Sequence, residues 1–193
     1  MKLVRDDSVV WAEPHRAAKT LNDMAGRREG ASSLKLHHPS LTGAGVTIAV
    51  TDTGADYKHR GFAIDPASDT STSLNTRIAY YAARAGPSSD GVPGDADGHG
   101  SHVAGSILGN GAYSETVVKA PGSGTPPYAA GQFAGAAPKA SLVMIEDFNS
   151  FSDEEQAQTA YRQGARISNN SWGNEDFQYG TMCATWDALA SIQ

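Results

Sequence analysis

Residues 46–51 (Val-Thr-Ile-Ala-Val-Thr) alternate large β-branched residues with smaller ones, which predicts a strand ending at Asp52-Thr53-Gly54. Residues 77–83 (Arg-Ile-Ala-Tyr-Tyr-Ala-Ala) predict a second strand. Residues 86–98, rich in Gly and Pro with three Asp, predict a loop. The small and apolar residues of 99–108 predict a tightly packed helix, ended by Gly109-Asn110-Gly111. A long Gly/Pro-rich surface loop is expected over 112–132. The unbroken apolar run 142–145 predicts a strand covered on both faces. Ser152-Asp153-Glu154-Glu155 fits a capping box, opening a helix that runs to about Gln163 and stops at Gly164. Residues 166–173 read as a strand leading into a loop, and 182–192 carry apolar residues at helical spacing. Before all of this, the first 30 residues are polar apart from Val9-Val10-Trp11-Ala12. Residues 17–28 have room for a helical turn or two, with Gly30 as a stop. Strands alternating with helices at these lengths predict an α/β fold with a parallel sheet.

The length of 193 residues suits one domain, or one domain with a short extra segment. No run of 18 apolar residues occurs, so no transmembrane helix is expected. Met1-Lys2-Leu3-Val4 leads directly into Arg5-Asp6-Asp7, without the apolar core of a secretory signal. The single Cys183 excludes an internal disulfide framework and a multi-cysteine zinc site. A formal charge of −6 without a basic cluster argues against nucleic acid and anionic membrane as partners.

Three stretches carry candidate chemistry. Asp52 stands at the carboxyl end of a strand, where open α/β sheets gather their sites; capping of the following turn is the competing reading. His99 opens a helix between Gly98 and Gly100, which permit close approach of another segment. A structural role and a role in chemistry both stay open for it. With His102 at i+3 it also has the spacing of a partial metal site, but no HExxH or HxxEH arrangement accompanies the pair. Ser168-Asn169-Asn170-Ser171-Trp172-Gly173 is either an ordinary strand exit or an open edge that pairs with an extended peptide.

Together these stretches resemble the subtilisin-like serine proteases. Asp52 in Val-Thr-Asp-Thr-Gly matches the aspartate motif of that family, and His99 in His-Gly-Ser-His-Val-Ala-Gly its histidine motif. Ser171-Trp172-Gly173 matches the substrate-lining segment, and Gly-Ala-Ala-Pro-Lys-Ala (135–140) the small-residue turn before a core strand. The wording of residues 164–173 and 106–111 is most similar to the oxidatively stable alkaline protease branch. The resemblance runs from about Leu21 onward, interrupted at 112–132.

The resemblance implies a doubly wound parallel sheet with helices on both faces, incomplete in this chain. It implies a serine endopeptidase in which Asp52 orients His99, and His99 takes the proton of a serine nucleophile. Ser171, Trp172 and Gly173 would line the cleft for extended polypeptide substrates. The family's serine motif, Gly-Thr-Ser-Met-Ala, does not occur, nor does the Ala-Gly-Asn that supplies its oxyanion-hole asparagine. Gly180-Thr181-Met182-Cys183-Ala184 has Met in the serine's place and follows Trp172 too closely, and Cys183 is a poor replacement nucleophile. The expectation is therefore the amino-terminal part of a peptidase domain over residues 19–193, inactive until joined to its carboxyl-terminal part. Expressed by itself it would leave sheet strands unpaired and aggregate. Residues 1–18 are either the end of a propeptide or an amino-terminal extension. A non-catalytic peptide-binding pseudoprotease and one chain of a split enzyme are the alternatives. No cofactor is required for the chemistry. Asp90, Asp95 and Asp97 could donate oxygens to a structural calcium, but their spacing is not that of an EF-hand, and a solvated acidic loop is the simpler reading. Secretion is the location the family implies.

Overall fold

In the computed structural model, residues 30–64, 76–86, 90–120, 122–173 and 179–191 are described. The strand expected at 46–51 spans Thr47–Asp52 (β1), and the apolar run at 142–145 extends to Ser141–Glu146 (β3). They pair in parallel with Ile48 opposite Leu142, Val50 opposite Met144 and Asp52 opposite Glu146. Because successive side chains alternate across a sheet, this register separates two apolar sets. Ile48, Val50, Leu142 and Met144 pack on one face against Ala104 and Leu108 of the helix His99–Leu108 (α2). Ala49, Val143 and Ile145 pack on the other face, with Ala160 of the helix Asp153–Arg162 (α3) and Ala165 just beyond it. The sheet is thus wound on both sides, as expected of the run at 142–145.

Ile78–Ala82 (β2) joins the outer side of β3, and Ile167–Asn170 (β4) the outer side of β1, so the order is β2-β3-β1-β4 with every pair parallel. The capping box forms as read: the Ser152 hydroxyl accepts the Glu155 amide, and Glu155 accepts the Ser152 amide. A last helix, Thr181–Ser191 (α4), packs against α3. Between these two helices the free side of β4 opens into a groove lined by Ala160, Tyr161, Ile167, Trp186 and Leu189. Ile167 is about half exposed there, and among the described residues no strand pairs with the outer edge of β4.

One helix lies outside the sequence expectations: Ala31–His37 (α1) begins directly after Gly30, which reads only as the stop of turns at 17–28. Its anchor is remote: Lys35 donates to the carbonyls of Ala134 and Gly135 at 3.0 and 2.7 Å, one hundred residues along the chain. The patch Val9-Val10-Trp11-Ala12, the expected turns at 17–28 and the boundary at residue 18 lie outside the described residues. The long loop at 112–132 is present and gathers around buried Tyr128, whose hydroxyl accepts the Ala120 amide at 2.7 Å.

Candidate active site

β1 carries Asp52 to its carboxyl end, and α2 presents His99 in its first turn. His99 Nδ1 lies 2.7 Å from Asp52 Oδ1, and the same oxygen accepts the Thr53 amide at 2.8 Å. Turn cap and site partner are therefore not alternatives, since one carboxylate oxygen serves both. A carboxylate oxygen can only accept, so Nδ1 carries the ring proton and Nε2 of the neutral ring keeps its lone pair. The Asp52 side chain is 2% exposed and that of His99 49%. The carboxylate is sealed while the ring opens to solvent, the arrangement a base needs to meet a substrate. Asp52 Oδ2 is buried with no hydrogen-bond partner among the described residues. The hydrogen bond to Asp52 raises the His99 pKa; burial opposes it, and the charges of Asp52, Asp97 and Asp95 add to the rise.

Glycines make the contact possible. Gly54 has φ 129°, a conformation side chains rarely adopt, and a Cβ at Gly100 would strike the Gly54 carbonyl. The turn after β1 and the first turn of α2 thus touch backbone to backbone. Behind them, the Tyr81 hydroxyl accepts the amides of Ala55 and Gly94 at 2.9 and 3.2 Å, and shares its proton between Glu146 Oε2 at 2.8 Å and Gly94 O at 2.7 Å. Burial, then the Glu146 carboxylate, pushes the Tyr81 pKa up, keeping the phenol protonated as this web requires. Tyr81→Phe is expected to destabilise the fold by about 1–3 kcal/mol, because the buried Ala55 amide loses its acceptor, while the Gly94 amide keeps Glu146 Oε2 at 3.3 Å. Urea denaturation measures it, and a change below about 0.5 kcal/mol would mean the web carries no weight.

Ser171, Trp172 and Gly173 follow β4, which lies beside β1 with Asn170 opposite Thr51. Trp172 Nε1 donates to the Thr51 carbonyl at 3.1 Å, one residue before Asp52. Its indole stacks on Phe148 with centroids 5.1 Å apart and meets the edge of Trp186 at 6.3 Å. Ser171 and Gly173 are exposed on either side, and the Ser171 hydroxyl donates to Asn169 Oδ1 at 2.8 Å. The indole therefore ties the segment to the strand that carries Asp52. Cys183 is half-buried in the first turn of α4 and makes no hydrogen bond to His99.

His102 points elsewhere on α2, exposed, and among the described residues no three His, Cys, Asp or Glu side chains form a ligand set. The acidic loop is built into its surroundings. Asp90 accepts the Val92 amide at 2.8 Å and Asp97 the His99 amide at 3.2 Å. Asp95 accepts the Gly98 amide, the Ser101 amide and the Thr53 hydroxyl at 2.9, 2.7 and 2.9 Å. Burial disfavours its charge, but the donors from Ser101, Gly98 and Thr53 outweigh it and hold its carboxyl below the ordinary range. Thr53, Tyr81, Asp95 and Glu146 are site-supporting residues that sequence reasoning did not assign. For Thr53 the only signal is adjacency to Asp52, and for Asp95 its place four residues before His99.

Residues 43–192 match the Subtilase family. Serine protease AprX of Bacillus subtilis (strain 168) is 31% identical over 135 residues, which cover 70% of this chain and 24% of that protein. The chain thus spans about a quarter of the length of that relative. The CspB protease of Clostridium perfringens superposes with a TM-score of 0.59 at 19% identity, covering 88% of this chain and 38% of the other, a likeness of fold.

Proposed function

We propose, on the premise that this chain belongs to the subtilase family of serine peptidases, that Asp52 and His99 are two members of a triad that hydrolyses internal peptide bonds. The observation that carries this reading is the 2.7 Å contact between a sealed carboxylate and the Nδ1 of a half-exposed histidine. His99 Nε2 takes the proton from a serine hydroxyl as its oxygen attacks the peptide carbonyl, then returns it to the leaving amine. Water repeats the sequence on the acyl-enzyme. Asp52 holds the tautomer and stabilises the imidazolium formed in each half. The nucleophile in this reading is a serine outside residues 1–193, carried by further polypeptide that pairs with the open side of β4. Ser171, Trp172 and Gly173 border the cleft and accept extended polypeptides through backbone pairing. No cofactor enters the chemistry. The wording of residues 106–111 and 164–173 supports placement near the oxidatively stable alkaline protease branch, and membership of the family supports an exported protein.

A fluorophosphonate probe, which reacts with activated serines, tests this reading on the product of the full natural reading frame beside the 193-residue chain. The longer protein is expected to be labelled and the chain by itself not. Because His99 must be neutral to act as base, and Asp52 raises its pKa, the labelling rate should climb with pH through a midpoint above the ordinary histidine value of about 6.5. Labelling of the chain by itself would place a nucleophile within it. A full reading frame without an activatable serine would favour a peptide-binding role, and a midpoint at or below the ordinary value would remove Asp52 from contact with the base.

A further inference from the structure

α2 begins without a cap of its own. Its N-cap position is Gly98, which has no side chain to offer. Asp95 fills that role from three residues away, accepting the amides of Gly98 and Ser101. Its remaining capacity faces the strand end, where the Thr53 hydroxyl donates to Asp95 Oδ1 at 2.9 Å. Thr53 Oγ1 also accepts the Gly100 amide at 2.9 Å. Ser101 links the same two segments from the helix side: its amide donates to Asp95 Oδ2 at 2.7 Å and its hydroxyl accepts the Asp56 amide at 2.8 Å. Two hydroxyls therefore each take an amide from across the gap, and Asp95 joins the two residues through the Thr53 hydroxyl and the Ser101 amide. The direction of every bond follows, because the amides can only donate and the carboxylate can only accept.

We propose that Thr53, Asp95 and Ser101 form a latch that locks the first turn of the His99 helix to the end of the Asp52 strand, making them positioning residues for the base. The stitched residues are 53 and 56 on one side, directly after Asp52, and 98, 100 and 101 on the other, bracketing His99 in sequence. The core packing of Ala104 and Leu108 holds the body of the helix, but without the latch its first turn would be tied to the strand end only by the His99–Asp52 hydrogen bond and the close approach of Gly100 to Gly54. A displacement well under the width of an atom moves Nε2 out of line with the serine hydroxyl, and proton transfer is steep in that distance. The inference rests on the reading of His99 as a general base.

The test uses the product of the full natural reading frame, with three variants and two readouts. Thr53→Val keeps the shape and removes the hydroxyl, Thr53→Ser keeps the hydroxyl, and Ser101→Ala removes the matching one on the helix side. Thr53→Val is expected to lower kcat about 10- to 100-fold with KM within about twofold of the parent, and Ser101→Ala to lower kcat about 3- to 10-fold. Thr53→Ser should stay within about threefold. In parallel, the downfield proton resonance of His99 Nδ1, held against the Asp52 carboxylate, should persist in Thr53→Ser and broaden or move in Thr53→Val. Parental kcat and an unmoved resonance in Thr53→Val, a change confined to KM, or equal losses in Thr53→Val and Thr53→Ser would overturn the latch. If Thr53→Val does not fold, Ser101→Ala decides by the same criteria. If even the parent hydrolyses nothing, the reading of function fails, while the resonance still separates a latched from an unlatched helix.

Discussion

Asp52→Asn is expected to lower kcat of the serine-bearing protease by about four orders of magnitude, the size found when the orienting aspartate of other serine-protease triads is neutralised. Two arrangements are open to the new amide. With its oxygen in the place of Oδ1 it still accepts from Thr53 and His99, but it offers no charge to the imidazolium. It also pushes an NH2 group into the position of Oδ2, which is buried without a partner among the described residues. With the amide turned round, its NH2 faces His99 Nδ1 and forces the ring proton onto Nε2, which abolishes the base. Both arrangements damage turnover, and neither alters the packing of β1, so the melting transition should stay cooperative with a loss of no more than about 1–3 kcal/mol. Steady-state kinetics beside a thermal melt measure both. Activity within tenfold of the parent in a folded Asp52→Asn protein would take Asp52 out of the triad.

Gly100→Ala is expected to destabilise the protein by about 3 kcal/mol or more and to abolish activity, whereas Gly105→Ala, five residues along the same helix, should be neutral or stabilise by about 0.5–1 kcal/mol. A methyl group at 100 meets the Gly54 backbone, which cannot retreat. Gly54 is itself held at φ 129° against the Gly94 carbonyl. A methyl at 105 meets nothing within 4 Å. Both glycines belong to the same short motif, and helix propensity alone ranks the two substitutions equally. Equal effects on the denaturation midpoint would mean that backbone contact between β1 and α2 does not govern assembly of the site.

The two substitutions show where the sequence was legible. Period-2 alternation in β1, the apolar run of β3 and the capping box of α3 are local signals, since each depends on neighbours within a few residues. Each was realised within one or two positions of its expected bounds. Asp52 and His99 were legible because their residue types sit in short motifs flanked by glycines. The start of α1 was not, because its Lys35 anchor lies a hundred residues away. Asp95 read as one of three acids in a solvated loop, for its place four residues before His99 does not by itself set it apart from Asp90 and Asp97. Only folding brings Thr53 to it, from 42 residues earlier in the chain.

By itself, then, the sequence determined the alternation of strands and helices, the placement of the aspartate and the histidine at the ends of their elements, and the family they resemble. Each of these is written in residue type and short-range spacing. The tertiary structure alone decided that one Asp52 oxygen serves both Thr53 and His99, that Gly100 and not Gly105 must lack a side chain, and that Asp95 joins Thr53 to the first turn of the His99 helix. Those are contacts between segments tens of residues apart. Their energies come from directed hydrogen bonds and excluded volume, which exist only once β1 and α2 are held against each other.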